Sequence, residues 1–210
     1  MFEFINFILH IDQYLSIIIQ TYNIWTYAIL SLIIFLETGL VATPFLPGDS
    51  LLFAAGSFAA LGALNISILL AILSISAIIG DSVNYTIGRY IGPKVFKSES
   101  SIFLNKKYLL RTQDFYDKHG KKTIFLARFV PIIRTFAPFI AGIGKMEYTE
   151  FIKYNILGGI VWTSLFLLGG YFFGNLAFVQ ENFSLVILAI ILISFAPIFI
   201  ELIKMRKTTS

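Results

Sequence analysis

Four stretches of this chain carry no charged residue: 13–36, 50–80, 154–180 and 182–200. A helix crossing ~30 Å of hydrocarbon needs about 20 apolar residues, and segments 15–36, 64–88, 154–174 and 183–203 each satisfy this. Lipid offers the backbone no hydrogen-bond partner, so a chain that spans it is helical or a closed barrel. Runs such as ISILLAILSISAII lack the alternation of a barrel strand. An all-α polytopic membrane protein follows. Composition agrees. Apolar residues make up 57% of the chain and charged residues 13%, about half the ~25% of a soluble domain. That is too apolar for disorder and too poor in polar groups to clothe a water-soluble enzyme. There is no cysteine, which excludes disulfides, thiolate metal sites and thiol catalysis. His10 and His119 have no metal-ligand spacing, and no cofactor is expected. The opening MFEFINFILHID has neither a basic n-region nor a small-residue cleavage site, and reads as mature chain.

Two apolar stretches do not read as simple spans: residues 37–62, ETGLVATPFLPGDSLLFAAGSFAALG, and residues 121–145, KKTIFLARFVPIIRTFAPFIAGIGK. Each contains two prolines, which remove backbone donors and break helices. Pro44, Pro47 and Gly48 together read as a turn. The arms beside each break are roughly 10–15 residues, too short to cross, so they read as re-entrant hairpins. Backbone broken at that depth is tolerated only inside protein or beside a wet cavity. The pattern also repeats. Phe53-Ala-Ala-Gly56 follows the first break and Phe139-Ile-Ala-Gly142 the second, and each precedes a long span ending in glycine and tyrosine (GRYIG at 88–92, GGYFFG at 169–174). A hairpin and then a span, twice, is the layout of an inverted-repeat transporter. The expected organisation is a single membrane domain. Residues 1–92 form a first repeat with its hairpin at about 37–62. Residues 93–122 form a basic amphipathic segment. Residues 123–175 form a second repeat with its hairpin at about 121–145, and 183–203 a last span.

Segment 93–122 holds Lys94, Lys97, Lys106, Lys107, Arg111, Lys118, Lys121 and Lys122 against Glu99, Asp114 and Asp117, a net +5 that exceeds the +4 of the whole chain. The tail adds Lys204, Arg206 and Lys207. The positive-inside rule places both in the cytoplasm. Residues 1–36 carry only Glu3 and Asp12, and loop 175–182 only Glu181, so both favour the outside. With this orientation the two hairpins enter from opposite faces and their tips approach each other. Residues 2–20 are also compatible with lying along the interface. The basic segment touches anionic headgroups. No nucleic-acid module is present, and the glycine-rich GGIVW is not followed by the GK[ST] of a phosphate loop.

Glu37, Asp49, Arg128 and Arg134 lie in or beside the hairpins. A charge at mid-bilayer costs ~2.5–3.5 kcal/mol even on the lenient insertion scale, so these groups must pair or line a wet cavity. The acids lie on one hairpin and the arginines on the other. Plainer roles compete: Asp49 as an N-cap, Glu37 among the headgroups, and both arginines snorkelling to the cytoplasmic face. One shared cause is a stronger account than four coincidences. Arginine's planar fork grips phosphate oxygens and stays charged in apolar surroundings, and broken-helix N-termini favour anions. A carboxylate between desolvation and arginine can carry a proton. A secondary set, Asp81, Asn84 and Arg89, lies in GDSVNYTIGRY. Asp81 and Asn84 share a helix face with Tyr85 and Gly88, and interhelical packing is the leading reading for it, with Asp81 as a further proton or pairing site the other.

The runs FLETGLVATPFLPGDSLLFAAG, GDSVNYTIGRYIG and FLARFVPIIRTFAPFIAGIGKM, with their E-x-G…F-x-P-G-D and R-F-[IV]-P…R-x-[FV]-x-P patterns, resemble the DedA family of bacterial membrane proteins over about residues 15–175. That family carries the SNARE-associated or VTT domain shared with eukaryotic lipid scramblases. The resemblance implies two opposed re-entrant hairpins in the cytoplasmic (inner) membrane. It implies recycling of undecaprenyl phosphate, in some members with dependence on the proton-motive force or roles in envelope stress and drug resistance. It maps the family's functional acids onto Glu37 and Asp49 and its functional arginines onto Arg128 and Arg134. The expectation is therefore a flippase for an anionic phosphate lipid, with membrane lipid and protons as partners and no enzyme activity. Two other readings stay open. One is a proton-dependent exporter or pH- and potential-homeostasis protein without a lipid substrate. The other is an intramembrane lipid phosphatase, for which no nucleophile and base stand out.

Overall fold

The computed structural model describes residues 11–40, 48–95, 106–190 and 192. Described residues are helical or in turns, with no strand among them. The helices are α1 (Ile11–Tyr22), α2 (Trp25–Gly39), α3 (Gly48–Ala60), α4 (Ile66–Val95), α5 (Lys106–His119), α6 (Thr123–Ala127), α7 (Pro131–Ile143), α8 (Tyr148–Phe173) and α9 (Ala177–Glu181), with residues 183–190 helical after them. Pro44 and Pro47, residues 96–105, His10, most of 183–203 and the basic tail lie outside the described residues.

Within α4 and α8, Ile66–Tyr90 and Tyr148–Phe173 are long and apolar enough to cross a membrane. They match the expected spans 64–88 and 154–174. The expected single span 15–36 is instead two helices. Asn23 adopts a left-handed φ of 47°, a conformation asparagine tolerates better than most residues, and it turns the chain between α1 and α2. An uncharged run shows apolarity and length, but a one-residue reversal by asparagine leaves hydropathy unchanged.

At the first proline-rich segment α2 ends at Gly39, with Leu40 extended, and the described residues continue with α3 from Gly48. In the second, Arg128–Val130 interrupt the helix, and Pro131 sits at the start of α7, where its missing N–H costs nothing. The next boundary is written in the sequence too. Gly62, at φ 80°, closes α3 with Ala63 N–H donating to the Phe58 carbonyl, a Schellman end. Asn65 Oδ1 then caps α4 by accepting from the Ser67 and Ile68 amides at 3.0 and 3.1 Å.

Helices α4 and α8 pack on each other at the centre. Helices α2 and α7 lie against α4, α3 and α6 against α8, and α5 against α7. Two crossings are so close that only glycine fits. A Cβ on Gly56 of α3 would strike the Leu167 carbonyl of α8, and one on Gly170 of α8 would strike the Phe53 carbonyl of α3. Likewise a Cβ on Gly142 of α7 would strike the Tyr85 carbonyl of α4, and one on Gly88 of α4 the Phe139 carbonyl of α7. Small residues let helices approach closely in lipid, where packing replaces the hydrophobic drive. The Phe-x-x-Gly motifs and span-end glycines therefore meet in matched pairs. Leu30, Ile34, Leu52, Leu69, Leu73 and Leu167 fill the larger apolar core, and a Ser74–Thr163 hydrogen bond of 2.6 Å joins α4 to α8.

Candidate functional site

Glu37 sits in the last turn of α2, Asp49 in the first turn of α3, and Arg134 in the first turn of α7. They converge across the two proline-broken segments. Arg134 Nη2 pairs with Glu37 Oε1, and Nη1 donates to Asp49 Oδ1 at 2.7 Å. Asp49 Oδ1 also accepts from Trp162 Nε1 at 2.9 Å. The Glu37 side chain is 1% exposed and that of Arg134 11%, so neither the headgroup placement nor snorkelling describes them. Gly48 is required for this: a Cβ there would overlap the Glu37 carboxylate.

Arg128 lies in the break between α6 and α7 and is equally buried, but its partners are not Glu37 or Asp49. Its Nη2 donates to Asp81 Oδ2 of α4 and Asn155 Oδ1 of α8, both at 2.5 Å. Each arginine has its own partners, because α4 brings Asp81 and α8 brings Asn155 between the two broken segments. Asp81 is a charge partner and not packing glue. Gly158 leaves the room Arg128 occupies; a Cβ on it would come within 2.9 Å of Arg128 Cδ.

Trp162 joins the two centres. The guanidinium carbons of Arg134 and Arg128 lie 5.3 and 5.9 Å from its ring centroid, within cation–π range. Between them is a cavity of about 10 Å³ bordered by Glu37, Asp81, Arg128, Arg134 and Trp162, space for about one water molecule. Among the described residues, three buried polar atoms have no hydrogen-bond partner of good geometry: Glu37 Oε2, Asn84 Oδ1 and Arg128 Nε. Among the described residues no cluster of histidine, cysteine or acidic residues is suited to hold a metal.

The secondary candidates divide. Asn84 Nδ2 donates to the carbonyls of Thr38 at 3.1 Å and Thr135 at 2.8 Å, tying α2 and α7 together through α4. Arg89 is not in the site; it is exposed, and its Nη1 donates to Tyr85 Oη at 3.2 Å. Asn155 and Trp162 are residues that sequence reasoning missed. Asn155 had a signal, a carboxamide near the start of an uncharged span. Trp162 had none, since tryptophan in such a span ordinarily reads as an interfacial anchor.

Residues 46–172 match the VTT domain. Protein DedA of Escherichia coli (strain K12) is 52% identical over 208 residues, covering 98% of this chain and 95% of that protein. A membrane protein of Mycobacterium tuberculosis (strain ATCC 25618 / H37Rv) is 45% identical over 178 residues, 84% of this chain and 78% of that one. Inner membrane protein YghB of E. coli (strain K12) is 33% identical over 156 residues, 74% and 71% respectively. No solved structure matches the chain. With a domain match over more than half the chain and 52% identity to protein DedA over nearly its full length, this chain belongs to the DedA family of membrane proteins.

Proposed function

We propose that this protein is a multi-pass translocase of the cytoplasmic membrane that moves an anionic phosphate lipid, with undecaprenyl phosphate as the substrate its family resemblance favours. In this reading the two proline-broken segments are re-entrant hairpins of an inverted repeat. Their arms support it. Helices α3 and α7, which fall within the expected hairpins at about 37–62 and 121–145, have 13 residues each, about 20 Å at 1.5 Å per residue, short of the ~30 Å core. The matched glycine crossings, α3 on α8 and α7 on α4, are what an internal pseudo-symmetry would produce.

The observation that carries the proposal is the pair of buried arginines sharing Trp162 beside one water-sized cavity. Bidentate guanidinium groups suit phosphate oxygens; the Arg134 fork is now filled by Glu37 and Asp49, which stand where a headgroup's oxygens would, while Arg128 gives one nitrogen, Nη2, to Asp81 and Asn155. A phosphate does not fit the cavity as it is, so this is a closed state, and substrate must displace Glu37 and Asp49 from Arg134. Glu37, Asp49 and Asp81 face two arginines, so with all groups ionised the site holds one surplus negative charge. A proton on Glu37, whose buried Oε2 lies outside the pair with Arg134, neutralises it and loosens Arg134. Protonation then couples to headgroup capture, and deprotonation to release. No bond is made or broken, and the protein acts as a carrier and not an enzyme.

The test is a flipping assay in vesicles containing polyprenyl phosphate. Arg134→Ala is expected to abolish transport and Arg134→Lys to retain little, because lysine keeps the charge and loses the fork. Full transport by a folded Arg134→Ala protein rules the headgroup role out. The surplus acid also favours a second reading, a proton pathway without lipid cargo. It requires proton flux in vesicles free of isoprenoid phosphate and indifference of that flux to added lipid.

A further inference from the structure

An exposed groove of about 530 Å³ runs between α4 and α8, walled by Ile78, Ile79, Val83, Ile87 and Ile152. Its volume is in the range of small-molecule sites. Ser82, Thr86 and the half-exposed Tyr148 add a polar seam to it. The groove begins near the middle of span Ile66–Tyr90 and ends at Tyr148, the first residue of α8. That end is the one beside the basic segment. Exposed Lys145 lies just before Tyr148, and exposed Lys153, next to Ile152, pairs with Glu150 at 3.1 Å. Lys121 reaches Glu150 there at 3.5 Å.

Polar contacts lead from this groove to the buried arginine. Tyr148 Oη donates to Ser82 Oγ at 3.2 Å, and Asn155 Nδ2 reaches the same oxygen at 3.4 Å. Asn155 Oδ1 accepts from Arg128 Nη2 at 2.5 Å. The wall itself is thin. A Cβ on Gly159 would lie 2.8 Å from Ile78 Cγ1 on the groove side and 3.5 Å from Arg128 Nη2 on the other. Arg128 also keeps a buried Nε without an acceptor.

We propose that this groove is a lateral binding site for the hydrocarbon chain of an anionic lipid, whose headgroup reaches Arg128 past Tyr148, Ser82 and Asn155. The proposal rests on the translocase reading and gives it a route in the plane of the bilayer. An apolar trough fits an isoprenoid or acyl chain, lysines at its open end attract the negative headgroup, and a cation with an unused donor stands behind its thinnest point. By the positive-inside orientation the groove opens to the cytoplasmic leaflet.

Full-length protein carrying a benzophenone amino acid in place of Ile79 tests it, with Ile68 as the control position. Both are exposed on α4, about 16 Å apart along the helix axis. The protein is placed in phosphatidylethanolamine–phosphatidylglycerol vesicles with a minor fraction of polyprenyl phosphate and illuminated. Adducts at Ile79 are expected to be several-fold enriched in polyprenyl phosphate over its share of the bilayer. Those at Ile68 should follow bulk composition, and Ser82→Ala should reduce the enrichment. Equal composition at both positions, or adducts at Ile79 dominated by a second copy of the chain, overturns the proposal. A flipping assay on the wild-type protein in the same vesicles separates the two readings. Flipping without enrichment removes the groove and leaves the translocase. Enrichment without flipping leaves the groove and removes the translocase.

Discussion

The site is a division of labour among five charges and one indole. Arg134 answers Glu37 and Asp49, Arg128 answers Asp81, and Trp162 lies within reach of both guanidiniums. Removing one member of a buried ion pair costs about 3–5 kcal/mol, because the partner stays buried and uncompensated. Asp81→Asn and Arg128→Gln should therefore each destabilise the protein by that order. The double variant should lose much less than their sum, whereas Asp81→Asn with Arg134→Gln should be nearly additive. Thermal unfolding in detergent reads the cycle, and equal coupling to both arginines would refute the assignment of separate partners. Trp162 offers a second test. Trp162→Phe keeps a ring under both cations and loses only the donor to Asp49. Trp162→Leu loses both, including a desolvated cation–π term of about 2 kcal/mol. Leucine should be the more damaging substitution in stability and in flipping.

At the scale of elements, helix ends and crossings are decided by single small residues. Gly169 and Gly170 are neighbours in α8, yet only one is needed. A Cβ on Gly169 meets the Phe53 ring at 3.9–4.0 Å, ordinary contact, whereas one on Gly170 strikes the Phe53 carbonyl. Gly169→Ala should fold as the parent does, and Gly170→Ala should fall several degrees in melting temperature; equal effects would mean that the α3–α8 crossing is looser than described. Helix α5 is tied to α7 through one side chain. Tyr116 Oη donates to the Ala137 carbonyl at 2.9 Å. Burial, with a smaller push from Asp81, raises this phenol above its ordinary range, so it remains a donor at any physiological pH. The basic segment is thereby docked on α7, which carries Arg134.

For the whole molecule, the question is which helices cross. If α6 and α7 dip in and return, only α8 crosses between Lys118 and Glu181, and the two residues face opposite sides. If α7 crosses, they face the same side. The chain has no cysteine, so Lys118→Cys and Glu181→Cys, both at exposed positions, give clean single labels. An impermeant maleimide should reach Cys at 118 only from the cytoplasm and at 181 only from the other face. Labelling from one common face would end the re-entrant assignment and, with it, the opposed-hairpin mechanism. The closed cavity sets the matching expectation for dynamics: the proposed transport would need α2–α3 and α7 to part, since Arg134 is their ionic link.

Much of this was legible in the chain. Apolar length located α4 and α8, because a span must satisfy lipid along every turn. Proline marked the two breaks, because it cannot donate to the preceding helix. Charges inside otherwise apolar runs marked Glu37, Asp49, Arg128 and Arg134, because uncompensated charge is too costly there. What remained hidden was who faces whom. The turn at Asn23 is a local left-handed backbone step that hydropathy does not register, and the assignment of Asp81 and Asn155 to Arg128 and the place of Trp162 depend on how α4 and α8 cross between the two broken segments. One-dimensional sequence states how much charge must be neutralised, but not the neutraliser, because pairing is fixed by helix rotation and glycine-limited distance. Only the packed structure supplies those.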